Sequence, residues 1–136
     1  MARTNFTGPV YGGEQILAQA QATSTSQAAD ASAVEFYETT VPTTEDWYVT
    51  RAKAYCTLAG NGSTMDVQDD GTTVLATTVT LVAAGPSTGG SVTPDQGEVG
   101  KRVAAGSALT FKQTNGATTA ATNGVLTVYG YKRYVG

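Results

Sequence analysis

Residues 65–75 read MDVQDDGTTVL and carry Asp66, Asp69 and Asp70 within five positions of a chain of 136 residues. An EF-hand calcium loop needs oxygen ligands at alternate positions before its glycine and a Glu at its twelfth position. Here Val67 and Gln68 separate Asp66 from Asp69, and position 77 is Thr. Asp-Gly flanked by alternating hydrophobic residues is instead the strongest short-range hairpin signal, with Gly71 suited to the positive φ of the turn. The stretch predicts a hairpin whose tip is kept wet by Asp69 and Asp70, with Met65, Val67, Val74 and Leu75 left to the strands.

Working outward, the same texture of β-branched and aromatic runs broken by Gly, Asn, Asp and Pro continues on both sides. Strands are expected at 33–41, 47–58, 63–69, 72–83, 107–114 and 124–134. In the second, alternation places Tyr48, Ala52, Ala54, Cys56 and Leu58 on a buried face, and Trp47, Val49, Arg51, Lys53, Tyr55 and Thr57 on a half-wet one. In the last, Leu126 and Val128 alternate with Val125, Thr127, Tyr129 and Tyr131. Both faces carry apolar weight, so Trp47, Tyr129 and Tyr131 are candidates for a subunit interface. Residues 84–100, with five glycines and two prolines, read as a long loop holding at most one short strand. The fold class is therefore all-β, an antiparallel β-sandwich.

Before Ala33 the texture differs. Gly8-Pro9 and Gly12-Gly13 break the chain, and a Gln/Ala/Ser/Thr run follows with few large apolar residues. A helix over 14–22 has only Ile16 and Leu17 to dock it, which makes no continuous stripe. Such a segment buries too little to offset its own ordering entropy. The expected division is an extended N-terminal arm at 1–32, ordered by a partner or not at all, and a sandwich body at 33–136.

Charged residues are 14% of the chain and the net charge is −3, so the surface is hydroxyl-rich and nearly neutral. The eight Lys and Arg residues form no basic stripe, which argues against nucleic acid as the main partner. No apolar run suits a signal peptide or a membrane span, and the expectation is a soluble chain made in a cytosol. With no His, the usual general base and the commonest transition-metal ligand are missing. Cys56, the lone cysteine, reads as a small buried apolar residue. Neither a metal site nor a cofactor is expected.

An enzyme would have to run on carboxylates, Lys or Tyr. Asp95 and Glu98, beside Lys101 and Arg102, form a second acidic pair, but a glycosidase needs two carboxyls facing across a cleft, which sequence cannot place. The terminal YGYKRY at 129–134 could stack bases, although a packed terminal strand with a polar edge explains it better. Trp47, Tyr48, Tyr55, Tyr129 and Tyr131 are possible sugar platforms; strand aromatics more often serve core or interface.

The succession DGTTVLATTVTL (70–81), RVAAGSALTF (102–111) and NGVLTVYGY (123–131) resembles the β jelly-roll modules of tailed-bacteriophage structural proteins. NFTGPV at 5–10 looks like the start of small phage virion proteins in which an arm precedes the globular module. The chain shows no shaft, repeat or coiled-coil stretch, so the resemblance implies a small capsid decoration (cement) protein rather than a tail fibre. It implies a homotrimer on the outer surface of the head, with the major capsid protein as partner and synthesis in the host cytoplasm. The arm would bind through Phe6, Val10, Tyr11, Ile16 and Leu17, and no catalysis is required. The rival expectation is a carbohydrate- or receptor-binding virion module.

Overall fold

The computed structural model of the protein describes residues 13–22, 33–57, 63–115 and 124–135, which form ten strands in two antiparallel sheets and no helix. The strands are β1 (Gln15–Gln21), β2 (Val34–Thr40), β3 (Glu45–Tyr55), β4 (Thr64–Asp69), β5 (Thr72–Thr73), β6 (Val79–Thr80), β7 (Thr88–Gly89), β8 (Lys101–Val103), β9 (Ala108–Thr114) and β10 (Val125–Tyr134). One sheet has the order β1-β10-β3-β8; the other runs β2-β9-β4-β6-β7, with β5 paired to β4. The antiparallel pairs β1·β10, β2·β9, β3·β8 and β4·β6 are nested, as if one long hairpin had been folded over itself. That nesting is consistent with a jelly-roll, in which early and late strands pair and the paired ribbon wraps into two sheets.

The hairpin at 65–75 forms as its sequence dictates. Asp69 pairs with Thr72 and Gln68 with Thr73, leaving a two-residue loop with φ of 50° at Asp70 and 88° at Gly71. Two consecutive positive φ values are those of a type I′ turn, whose twist matches the flanking strands. The strand expected over 72–83 does not run through: it is reduced to β5 and β6. Val74 and Leu75 are both buried, which a two-residue period does not allow, and the chain leaves β4 between them. Ala76 then donates its N–H to the Ser91 carbonyl at 2.7 Å.

The core lies between the sheets. Val49, Ala52, Ala54, Cys56, Val103, Leu126 and Val128 from one sheet meet Met65, Val67, Val79, Leu109 and Phe111 from the other. Phe36 and Tyr37 tilt against Phe111 with ring centroids 5.9 and 5.1 Å away. Fully burying a side chain the size of Val67, Met65, Leu109 or Phe111 stabilises by about 1.5–3 kcal/mol.

Alternation in β3 fails at one place. Arg51 pairs with Tyr129 but Val49 with Gly130, so Thr50 is an extra residue. A bulge of this kind inverts the side-chain parity beyond it. Trp47 and Val49 therefore face the core with Ala52, Ala54 and Cys56, while Tyr48 goes to the opposite face with Arg51, Lys53 and Tyr55. This corrects the expected faces. It also removes Trp47 from the candidate interface: the ring is 5% exposed, donates Nε1–H to Glu45 Oε1 at 2.8 Å and has Lys132 Nζ 5.5 Å from its ring centroid.

The expected arm is corrected in part. Residues 15–21 form an edge strand on β10, not an extended appendage. Leu17 is a bulged residue of β1, so it and Ala18 both point inward, each 7% exposed. Small Ala and Gln side chains suffice because the β10 backbone supplies the hydrogen bonds that the segment could not satisfy alone. Phe6, Val10 and Tyr11 lie outside the described residues.

The 84–100 stretch holds one short strand, β7, and its course explains its length. Gly90 accepts a hydrogen bond from Ala52 N–H at 2.9 Å, Ser91 bridges Arg51 and Ser87 Oγ accepts one from Ala54 N–H at 2.9 Å. The loop thus covers the edge of β3 left open beyond β8. Only glycine suits position 90, where φ is +81° and a Cβ would sit 2.0 Å from the Ala52 carbonyl oxygen.

Candidate functional site

The acids singled out in the sequence do not converge. Asp66 Oδ1 accepts hydrogen bonds from Val67 N–H at 2.9 Å and Thr73 Oγ1–H at 2.6 Å, and Oδ2 accepts one from Gln68 Nε2 at 3.2 Å. Asp70 Oδ1 accepts the Ala108 N–H at 3.2 Å, which ties the turn to β9. Asp69 is half-buried rather than freely wet, and its Oδ1 lacks a hydrogen-bond partner among the described residues. Burial and the neighbouring Asp70 charge raise its carboxyl above the ordinary value, against a bond from Ser107 and the charge of Lys101. Asp95 binds Lys101 Nζ at 3.2 Å and Arg102 N–H at 2.8 Å, and the Arg102 N–H foremost holds it below the ordinary value. Glu98 faces Arg133 at 3.8 Å. Among the described residues no group of three or more His, Cys, Asp or Glu is placed to hold a metal ion.

The acid most engaged is one that sequence reasoning passed over. Asp46 side-chain exposure is 2%. Oδ2 accepts from Arg102 Nε at 2.9 Å and Arg133 Nη2 at 3.2 Å, and Oδ1 accepts the Ala105 N–H at 2.9 Å. Burial alone would raise this carboxyl, but the bonds from Arg102, Ala105 and Arg133 outweigh it and hold it below the ordinary carboxylate range. Arg133 also lies 4.9 Å from the centre of the Tyr48 ring, and burial raises the Tyr48 phenol. The cluster clamps β3, β8 and β10 together, a structural use of charge. Its only sequence signal is YKRY at 131–134, which does not point to Asp46.

Cys56 is fully buried and its thiol lies 3.5 Å from the Val82 carbonyl; burial raises its pKa. It is a core residue, as its small size suggested.

The outer face of the four-stranded sheet is where exposed apolar and polar side chains are combined. Cross-strand pairing builds three successive rows on it: Gln21–Val125–Tyr55, Gln19–Thr127–Lys53 and Ile16–Tyr129–Arg51. Ile16 and Tyr55 are 50% and 52% exposed. Between the rows lies a groove of about 380 Å³, floored by Val125 and Thr127 and flanked by Tyr55, Tyr129, Lys53 and Gln19. Its polar parts are ordered: Gln19 Nε2 donates to Thr127 Oγ1 at 2.7 Å. Arg51 lies 4.1 Å from the Tyr129 ring centroid and is held there by Glu14 at 3.3 Å. Glu14 in turn accepts a hydrogen bond from Thr50 Oγ1, which foremost lowers its carboxyl pKa.

Of the expected platforms and interface residues, Tyr55 and Tyr129 line this groove and Tyr131 lies farther along the same face, half-buried. Trp47 and Tyr48 are withdrawn from it by burial. Of the expected arm residues, Leu17 is committed to the core and Ile16 stands on the outer face. Alternation along 125–131 finds β10's two tyrosines; the participation of Gln19 depends on β1 joining the sheet, which no local pattern signals. No protein-family profile, curated protein or solved structure matches the chain.

Proposed function

We propose that the protein is a virion structural protein that decorates the outer surface of a bacteriophage head, binding the major capsid protein as a homotrimer and cementing the shell. The observation that carries this reading is the nested strand order, consistent with the jelly-roll that the sequence resemblance implies. A cement function asks for a rigid body and an attachment segment. The Asp46 clamp and the covered edge of β3 provide the first. For the second, β1 belongs to the body, so the attachment segment is shortened from 1–32 to residues 1–12, with Phe6, Val10 and Tyr11 as its apolar anchors. The described strand nearest to it in sequence, β1, lies at the edge of its sheet.

The test is removal of residues 1–12. The shortened chain is expected to keep its thermal unfolding transition and trimer mass, yet to lose affinity for expanded phage heads by about tenfold or more, as loss of several buried apolar anchors implies. Equal binding by the two chains in a sedimentation assay overturns the attachment role.

A further inference from the structure

We propose that the groove on the outer face of the four-stranded sheet binds a short acidic oligosaccharide, with Lys53 as the carboxylate partner and Tyr55 and Tyr129 as the stacking walls. The inference goes beyond shell binding and does not depend on it. Three observations lead to it.

The first is the order of the rows. Tyr55 and Tyr129 stand at the two ends, opposite Val125 and on β10 itself, and the hydrogen-bonding row of Gln19, Thr127 and Lys53 lies between them. Val125 and Tyr129 are four residues apart on one strand, a span of roughly 13 Å. This suits a few linked pyranose rings: apolar ring faces meet the tyrosines, and hydroxyls and a carboxylate meet the middle row.

Charge is the second. Lys53 is exposed and has no carboxylate in direct contact among the described residues, its charge reaching Glu14 only at longer range, whereas the other cations of this sheet are in contact with an acid: Arg51 with Glu14, Lys101 with Asp95, Arg102 and Arg133 with Asp46, Lys132 with Glu45. A cation whose hydrogen-bond donors meet no acid, beside two aromatic rings, favours an anionic ligand over a neutral one.

Preorganisation and size supply the third. The Glu14–Arg51–Tyr129 stack and the Gln19–Thr127 hydrogen bond hold the groove's side chains before any ligand arrives, which lowers the ordering cost of binding. At about 380 Å³ the groove falls within the range of small-ligand sites.

The experiment is a calorimetric and NMR titration of the full chain with trigalacturonate, with its fully methyl-esterified form as the neutral control, at low salt. Trigalacturonate is expected to bind and to shift the amides of residues 19, 53, 55, 127 and 129, and the ester to bind about tenfold more weakly, as loss of one charge-assisted bond implies. Lys53→Gln should abolish the preference for the acid, Tyr55→Ala should weaken binding about fivefold, and Lys112→Gln on the other sheet should change nothing. Tyr55 is exposed, so its variant keeps the test valid if Tyr129→Ala fails to fold. Equal affinity for acid and ester, or no binding by either, overturns the proposal. So does a change of oligomeric mass in Lys53→Gln or Tyr55→Ala, which would make the face a subunit interface. Loss of shell binding on removal of residues 1–12 leaves this titration unaffected, so the two proposals fail separately.

Discussion

The hairpin tip at 66–70 gathers three carboxylates, whereas the end of the four-stranded sheet is organised around one, Asp46, and the two regions use their acids differently. At the tip, three acids lie together in sequence and Asp66 finds its partners within seven residues, at Val67, Gln68 and Thr73. At the sheet end a single acid draws partners 56, 59 and 87 residues away, from Arg102, Ala105 and Arg133. Crowding along the chain marks a turn; convergence across strands makes a clamp. The physical distinction is burial. A carboxylate at the surface needs little from the protein, whereas one removed from water must be met by several donors or remain costly.

The comparison is most exposed to Asp46→Ala. It should destabilise the fold by about 3 kcal/mol in urea unfolding, because two guanidinium groups and a backbone N–H lose their acceptor; Asp66→Ala should cost well under half of that, and equal costs would break the contrast. The pH dependence carries a sign. Asp46 has a folded pKa below its ordinary 3.8, so its stabilisation is complete above that value and is lost as pH falls through the lower folded value. The gap between the native chain and Asp46→Asn should therefore close in that acid window and stay constant at neutral pH.

A smaller effect is expected at the tip. Gly71→Ala places a Cβ on a backbone with φ of +88° and should cost about 1 kcal/mol in thermal unfolding, with no change in the structure beyond β4 and β5. A loss as large as that of Asp46→Ala would mean that the turn, not the clamp, organises the sheets.

The smallest effect has the opposite sign. Asp69 is disfavoured as a carboxylate by burial and by Asp70, so its folded pKa is raised. Its contribution is most favourable below the unfolded pKa and diminishes as pH rises through the folded one. Asp69→Asn should stabilise the protein at pH 7 by about 0.5 kcal/mol, and the advantage should disappear in acid, where both side chains are neutral. A destabilised variant at pH 7 would show that the charge of Asp69 is used.

Much of the strand content is legible because each strand carries its own signal. The expected strands at 33–41, 63–69, 107–114 and 124–134 correspond within a residue to β2, β4, β9 and β10, since β-branched residues bounded by Gly, Asn and Pro leave the backbone few other choices. Alternation locates the strand at 47–58 but not its faces, because the Thr50 bulge is a property of pairing with β10 and has no residue type of its own. β1 escapes sequence reading for a related reason. Its residues QILAQAQ have too little apolar surface to form a strand alone, and they become one only where the β10 edge offers partners for their backbone.

The groove divides along the same line. Tyr129 and Tyr55 can be named from alternation, while Gln19 and Lys53 enter the same row only through the register of β1, β10 and β3. By itself, the sequence determined the all-β class and the Asp70-Gly71 reversal, both set by interactions among residues a few positions apart. The tertiary structure alone decided that β1 joins the body, that Trp47 turns inward and Tyr48 outward, and that Asp46 becomes the clamp. Each of these depends on backbone or side-chain partners brought together from distant parts of the chain, and pairing at such separations leaves no periodicity in the sequence to be read.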